Sequence, residues 1–188
     1  MENQIKYYKD IFPEEFLDYF DDFKDDVGNI ALEENELSID LKKIAETINV
    51  EIKEFDQNRH SGQYDSEKRE IYVNNAESSQ RQRFTIAHEL GHCVLNHDGI
   101  SDRLIDSSDY SFADSIRERA ANRFATILLM PTELLALAIE QYQQEEQMTD
   151  QELENSSADA LVEKLAETLN VSKQAMRYRL MNLGVIEG

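Results

Sequence analysis

Apolar residues recur along the chain at two periods, and the switches between them mark out its elements. In FPEEFLDYFDDF, residues Phe12, Phe16, Phe20 and Phe23 fall at helical spacing with Pro13 close to the start. That pattern predicts an amphipathic helix whose apolar face packs on its own domain. SIDLKKIAETIN, 38–49, predicts a second helix burying Leu41, Ile44, Ala45 and Ile48. VEIKEF and EIYVN then read as two strands, separated by the polar stretch DQNRHSGQYDSEKR. Gly62 and the charged turn residues between them make an antiparallel hairpin the simplest pairing. A long helix follows in SSQRQRFTIAHELGHCVLNH, with a serine placed to cap it. After the polar loop DGISDRLIDSSDYSFAD come a strong helix, ADSIRERAANRFATILLM, and another begun by Pro131. QEEQMTDQELENSS reads as a solvated connector to two short helices near 158–169 and 172–182.

The pattern therefore predicts an α+β protein in three parts: an acidic amphipathic N-terminal extension over 1–36, a main domain over 37–142, and a connector with a helical module over 143–188. At 188 residues such a chain can bury roughly 70% of its unfolded surface without staples. The single Cys93 excludes an internal disulfide framework. A start as polar as MENQIKYYKDIFPEE is unlike a signal peptide, and no apolar run reads as a membrane span. These features predict a cytoplasmic address with no membrane partner.

Charge narrows the partners. With 39 acidic against 19 basic residues the formal charge is −20. Such a surface repels phosphate backbones and anionic lipid, so direct DNA binding is not expected. LVEKLAETLNVSKQAMRYRLMNLGVI is patterned like a helix-turn-helix, with Lys173, Arg177 and Arg179 on its second helix. Packing or partner docking suits it better than DNA reading, because the rest of the molecule is repulsive.

Three of the chain's four histidines lie in FTIAHELGHCVLNH. His88 and His92 are four apart, about 40° around a helix axis, so both imidazoles can reach one zinc ion. Glu89 falls about 60° from His92, beside such a metal without ligating it. There it can act as general base toward water acidified by the metal. Ile86, Leu90 and Val94 occupy the far side and can anchor the helix.

A third ligand is required. If the helix continues, His97 points about 140–180° away from the other two; it turns back only if the helix stops at Asn96. Asp98 meets the same objection. Cys93 lies about 100° from His92 and reads as a small core residue. On the next strong helix, Glu118, Ala121, Asn122, Ala125 and Leu129 form one stripe. Its alanines permit close approach, and Gly91 offers matching thinness on the histidine helix. Alone, Glu118 is one surface carboxylate among many; paired with HELGH it becomes the best third ligand. Asn122, one turn below, can hold a liganding imidazole in its tautomer.

FTIAHELGH followed by ExxANxFAxxLLMP resembles the ImmA/IrrE family of zinc metallopeptidases, closely over about residues 70–131 and more loosely toward 37 and 188. The resemblance implies a zincin-like, gluzincin-type fold with a small antiparallel sheet and one Zn2+ per chain. His88, His92 and Glu118 would be its ligands and Glu89 its general base. The family often carries a second glutamate where this chain has Ala120, which leaves Glu118 as the carboxylate at the motif.

The resemblance also implies an endopeptidase that cleaves a helix-turn-helix transcriptional repressor and so relieves repression, as in mobile elements. The alternative is an antirepressor that sequesters its repressor, with zinc serving structure alone. Ile71, Tyr72, Val73 and Asn74 are candidates for a strand that binds substrate by strand addition, or they are simply a sheet strand. His60, Tyr64 and Tyr110, in polar loops, are candidate oxyanion partners.

Overall fold

The computed structural model describes residues 6–32, 36–56, 60–97, 100–104 and 112–187. The N-terminal stretch opens with strand β1 (Lys6–Tyr7), paired antiparallel with β2 (Ala31–Leu32). Between them lie α1 (Tyr8–Ile11), α2 (Glu14–Leu17), a 3-10 segment (Asp18–Phe23) and α3 (Lys24–Gly28). The expected single amphipathic helix is thus broken. Phe12 precedes Pro13 and is extended at φ −104°, ψ 136°, because proline's ring disfavours the helical region for the residue before it. Asp21, at φ 46°, breaks the run again. The aromatic face survives the breaks: Phe12, Phe16 and Phe20 are all buried.

Helix α4 (Leu41–Thr47) is capped by Asp40, whose carboxylate accepts the Lys43 N–H at 2.9 Å. The phenol oxygen of Tyr8 accepts the Asp40 N–H at 2.8 Å, tying the N-terminal stretch to this cap.

Strands β3 (Glu51–Phe55), β4 (His60–Asp65), β5 (Glu70–Asn74) and β6 (Ile100–Leu104) form one sheet in the order β3-β5-β4-β6. The expected hairpin between β3 and β5 does not form, and the sheet is mixed rather than antiparallel. β4 takes the antiparallel place beside β5, and β3 pairs parallel on its other side, Ile52 opposite Ile71. β4 escaped the hydropathy pattern because its buried residues are Ser61, Gly62, Tyr64 and Asp65. β6 likewise forms within the stretch read as a polar loop, antiparallel to β4 with a register shift between His60 and Gly62.

Helix α5 (Ser79–Val94) starts where the Ser78 hydroxyl accepts the Arg81 N–H, and it lies on β4 and β5. Helix α6 (Phe112–Leu129) packs along it. α7 (Thr132–Glu146) follows from Pro131, then α8 (Asp150–Glu154), α9 (Ala158–Thr168) and α10 (Lys173–Asn182). The stretch Asp114–Glu146 has the length and apolar composition of a membrane span, contrary to expectation. It turns at Met130–Pro131 between α6 and α7, and half of its apolar window is buried inside the fold. One buried cluster extends from Tyr8 to Leu180, so the N-terminal stretch and the C-terminal helices share a core with the sheet.

Candidate metal centre

His88, Glu89 and His92 are buried on α5, and Glu118 reaches them from α6. The helices can approach closely because Gly91 faces Ala121. A Cβ built on Gly91 would lie 3.2 Å from the Ala121 Cα and 3.1 Å from Cδ1 of Phe124. Across this thin crossing three side chains meet. His88 Nε2 is 3.1 Å from Glu118 Oε2, His92 Nε2 is 3.2 Å from Glu118 Oε1, and the two Nε2 atoms are 3.1 Å apart.

That triangle fits a metal. Zn–N and Zn–O bonds of 2.0–2.2 Å in tetrahedral geometry place ligand atoms about 3.3–3.6 Å apart. The donor set, two imidazoles and one carboxylate, suits an ion that keeps a fourth position open. Burial opposes ionisation of Glu118, but hydrogen bonds to His88 and His92 outweigh it and hold the carboxyl at about 2.

Each imidazole has an outer partner that leaves its Nε2 facing the centre. Asn122 Oδ1 lies 3.2 Å from His88 Nδ1, the tautomer-fixing contact that the stripe on α6 predicts. His97 Nδ1 lies 2.9 Å from His92 Nδ1. His97 thus does turn back, as a support for a ligand rather than as the third ligand. Its turn begins at Asn96, left-handed at φ 52°, one residue after the Leu95 cap of α5. Asparagine tolerates this conformation, so the LNH ending carries a stop signal. Burial and the neighbouring His92 push the His97 imidazole down to about 4, leaving it neutral, with Nδ1 free to accept a hydrogen bond from the N–H at His92 Nδ1.

Glu89 is fully buried beneath β4: a Cβ on Gly62 would lie 3.6 Å from Glu89 Oε1. Cys93 stays outside the ligand set, and burial pushes its thiol up. Tyr64 lies in β4, and burial, then the neighbouring Cys93, raises its phenol. His60 lies in β4, where its carbonyl accepts the Asn74 side-chain amide. Tyr110 and Asp98 lie outside the described residues.

The strand Ile71, Tyr72, Val73 and Asn74 is central, paired with β3 on one side and β4 on the other. It has no open edge, so its assignment as a substrate-binding strand is corrected. Among the described residues the edges of this sheet belong to β3 and β6.

Residues 45–181 match the IrrE N-terminal-like domain, Peptidase_M78. The chain belongs to this family. Among similar proteins is the radiation response metalloprotease IrrE of Deinococcus radiodurans, 33% identical over 82 residues, which are 43% of this chain and 25% of the relative. Its counterpart in Deinococcus deserti is 36% identical over 78 residues, 41% of this chain and 28% of the relative. The matches thus span about a quarter of each relative's length. A Mycobacterium tuberculosis transcriptional regulator has a similar fold, with a TM-score of 0.50 and 14% identity over 92% of this chain and 48% of its own. A metalloprotease family implies a metal, and His88, His92 and Glu118 are placed where they could hold it.

Proposed function

We propose that the chain is a zincin-type, zinc-dependent endopeptidase whose substrate is a regulatory protein, a helix-turn-helix repressor by resemblance to ImmA/IrrE peptidases. The observation that carries the reading is the donor triangle of His88, His92 and Glu118 with Glu89 buried alongside. A structural zinc site has no need of that neighbouring carboxylate. When bound there, zinc would polarise the scissile carbonyl and acidify water. Glu89 takes the proton released as water attacks and returns it to the departing amide nitrogen. Asn122 and His97 hold the two imidazoles in register, so the donors need no reorganisation during the reaction. Substrate can be aligned by strand addition at β6, the sheet edge beside β4, which covers Glu89.

The C-terminal helices α9 and α10 pack on each other, and the cations of the second are already engaged. Lys173 pairs with Glu163 and Arg177 with Asp159, both on α9, while Arg179 Nε donates to the Met130 carbonyl at 3.0 Å. This supports a packing role for the module and a protein partner, rather than DNA, for the molecule.

Glu89→Gln tests the assignment. It keeps size and the metal ligands, so zinc content by elemental analysis should stay near one per chain. Hydrolysis of a repressor, followed by mass spectrometry, should fall by about 10²- to 10⁴-fold, the usual worth of a positioned general base. Full relief of repression by Glu89→Gln with the repressor intact would instead establish sequestration.

A further inference from the structure

The helices of the metal centre lean on chain that precedes the family match. Phe124 of α6, buried to 3% exposure, touches Gly91 through Cδ1 and stacks with Phe16 of α2 at 4.9 Å between centroids and 22° between planes. Phe20 packs on the same ring at 5.9 Å, Tyr19 meets it edge-on at 6.0 Å, and Phe12 stacks behind Phe16 at 4.9 Å. These four rings belong to the N-terminal stretch, outside residues 45–181.

The place where Phe124 touches α5 matters. Gly91 immediately precedes His92 and follows His88 by three residues; Ala121, on the opposing helix, follows Glu118 by three. The donor triangle has two corners on α5 and one on α6, so its edges depend on the spacing of the two helices. That spacing is tightest at Gly91, where a methyl group would meet Phe124 and the Ala121 backbone at 3.1–3.3 Å, closer than ordinary contact. A close-packed interior transmits displacement, and a ring deprived of its stacking neighbour relaxes into the space left behind.

We infer that the N-terminal aromatic layer, through Phe16 and Phe124, positions the two ligand-bearing helices and thereby sets the metal affinity of the centre. Phe16 is a positioning residue, acting on the donors only through Phe124. The inference rests on the reading of His88, His92 and Glu118 as metal ligands. It makes the stretch before the family domain a working part of the centre rather than an appended arm. By reciprocity, zinc must also tighten the seating of this layer.

The measurement is zinc affinity of the folded, full-length chain by competition with a chromophoric chelator, which needs no substrate. Phe16→Ala should bind zinc about tenfold more weakly, the lower end of what loss of an outer support costs. Phe16→Leu, which refills most of the volume, should recover affinity to within about threefold of wild type. Zinc should raise the melting temperature of Phe16→Ala less than that of wild type. Leu165→Ala, at a buried position of α9, is the control: it should lower the melting temperature and leave zinc affinity unchanged. A folded Phe16→Ala with wild-type affinity overturns the inference, as does equal weakening by Leu165→Ala. Should Phe16→Ala not fold, Phe124→Leu is read in the same way, and wild-type affinity in that variant overturns it. A folded wild type that binds no zinc removes the metal-centre reading and this inference together, an outcome distinct from all the others.

Discussion

Gly62 shows how one missing methyl group can serve chemistry. A Cβ there would lie 2.2 Å from Thr85 Cγ2, 3.0 Å from the Tyr72 carbonyl oxygen and 3.6 Å from Glu89 Oε1. Thr85 is fully buried, so a larger residue must displace its methyl group or lift β4 from α5. Gly62→Ala should therefore destabilise the fold by about 1–3 kcal/mol, the usual cost of overpacking, and reduce hydrolysis while zinc content stays at wild type. Adding Thr85→Ser removes the opposing methyl and should restore most of both, read by thermal melts and turnover; no recovery in the double variant refutes the contact. His97 gives a second test. His97→Ala should weaken zinc binding by about 10- to 100-fold, as loss of an outer partner does, with Glu89 chemistry intact once zinc is saturating. The meeting of His88, His92, Glu118 and Asn122 could be read from sequence because a metal site would need such residue types at fixed helical spacing. Gly62 could not, since its meeting with Thr85 and Glu89 depends on how a strand folds over a helix. His97 was half legible: Asn96 marks a helix end, but the direction of the next residue is set only by the turn itself.

At the scale of elements, the α5–α6 crossing offers an experiment with competing signs. Gly91→Ala gains up to about 1 kcal/mol of helix propensity. The new methyl would sit 3.1–3.3 Å from Phe124 Cδ1 and from the Ala121 backbone, and overpacking of this kind costs about 1–3 kcal/mol. The backbone of Ala121 cannot yield without moving α6, so the net effect should be destabilising in urea melts of the metal-free protein. The same separation should weaken zinc binding; a more stable variant with unchanged affinity would show that the crossing has slack. Helices here were legible because their apolar stripes and caps are local: Ser78, Pro131 and Ser172 all stand at helix starts. Strand pairing was not. The buried residues of β4 are Ser61, Gly62 and Asp65, with Tyr64 its one large apolar residue, so hydropathy presents it as a loop. Once β4 is missed, β3 and β5 look like neighbours in a hairpin instead of parallel strands. The broken N-terminal helix has a different origin: the periodicity of its phenylalanines is real, and Pro13 interrupts the backbone without disturbing the face.

For the whole molecule the dominant quantity is charge, −20 at neutral pH with a pI near 4.5. Self-repulsion at pH 7 destabilises the compact state, and salt screens it over a Debye length of about 10 Å at 0.1 M. Raising NaCl at pH 7 should therefore raise the melting temperature. Near pH 4.5 the mean repulsion is gone, and what remains is a set of attractive pairs. Asp65, hydrogen-bonded by Lys68, and Glu70, hydrogen-bonded by Lys53 and Tyr72, both have carboxyls held below their ordinary values. A carboxyl with a depressed folded pKa adds stability that is present above its unfolded pKa and is lost as pH falls through the folded one. As pH falls through the ordinary carboxyl range the unfolded chain therefore takes up protons first while these paired carboxyls stay more ionised, and salt weakens such pairs. The salt response should be positive at pH 7 and flat or negative at pH 4.5, measured by melts of dilute, metal-free protein in low and high NaCl. An equal rise at both pH values would mean that salt acts through burial of apolar surface rather than through charge, and the acidic surface would then have no part in limiting stability.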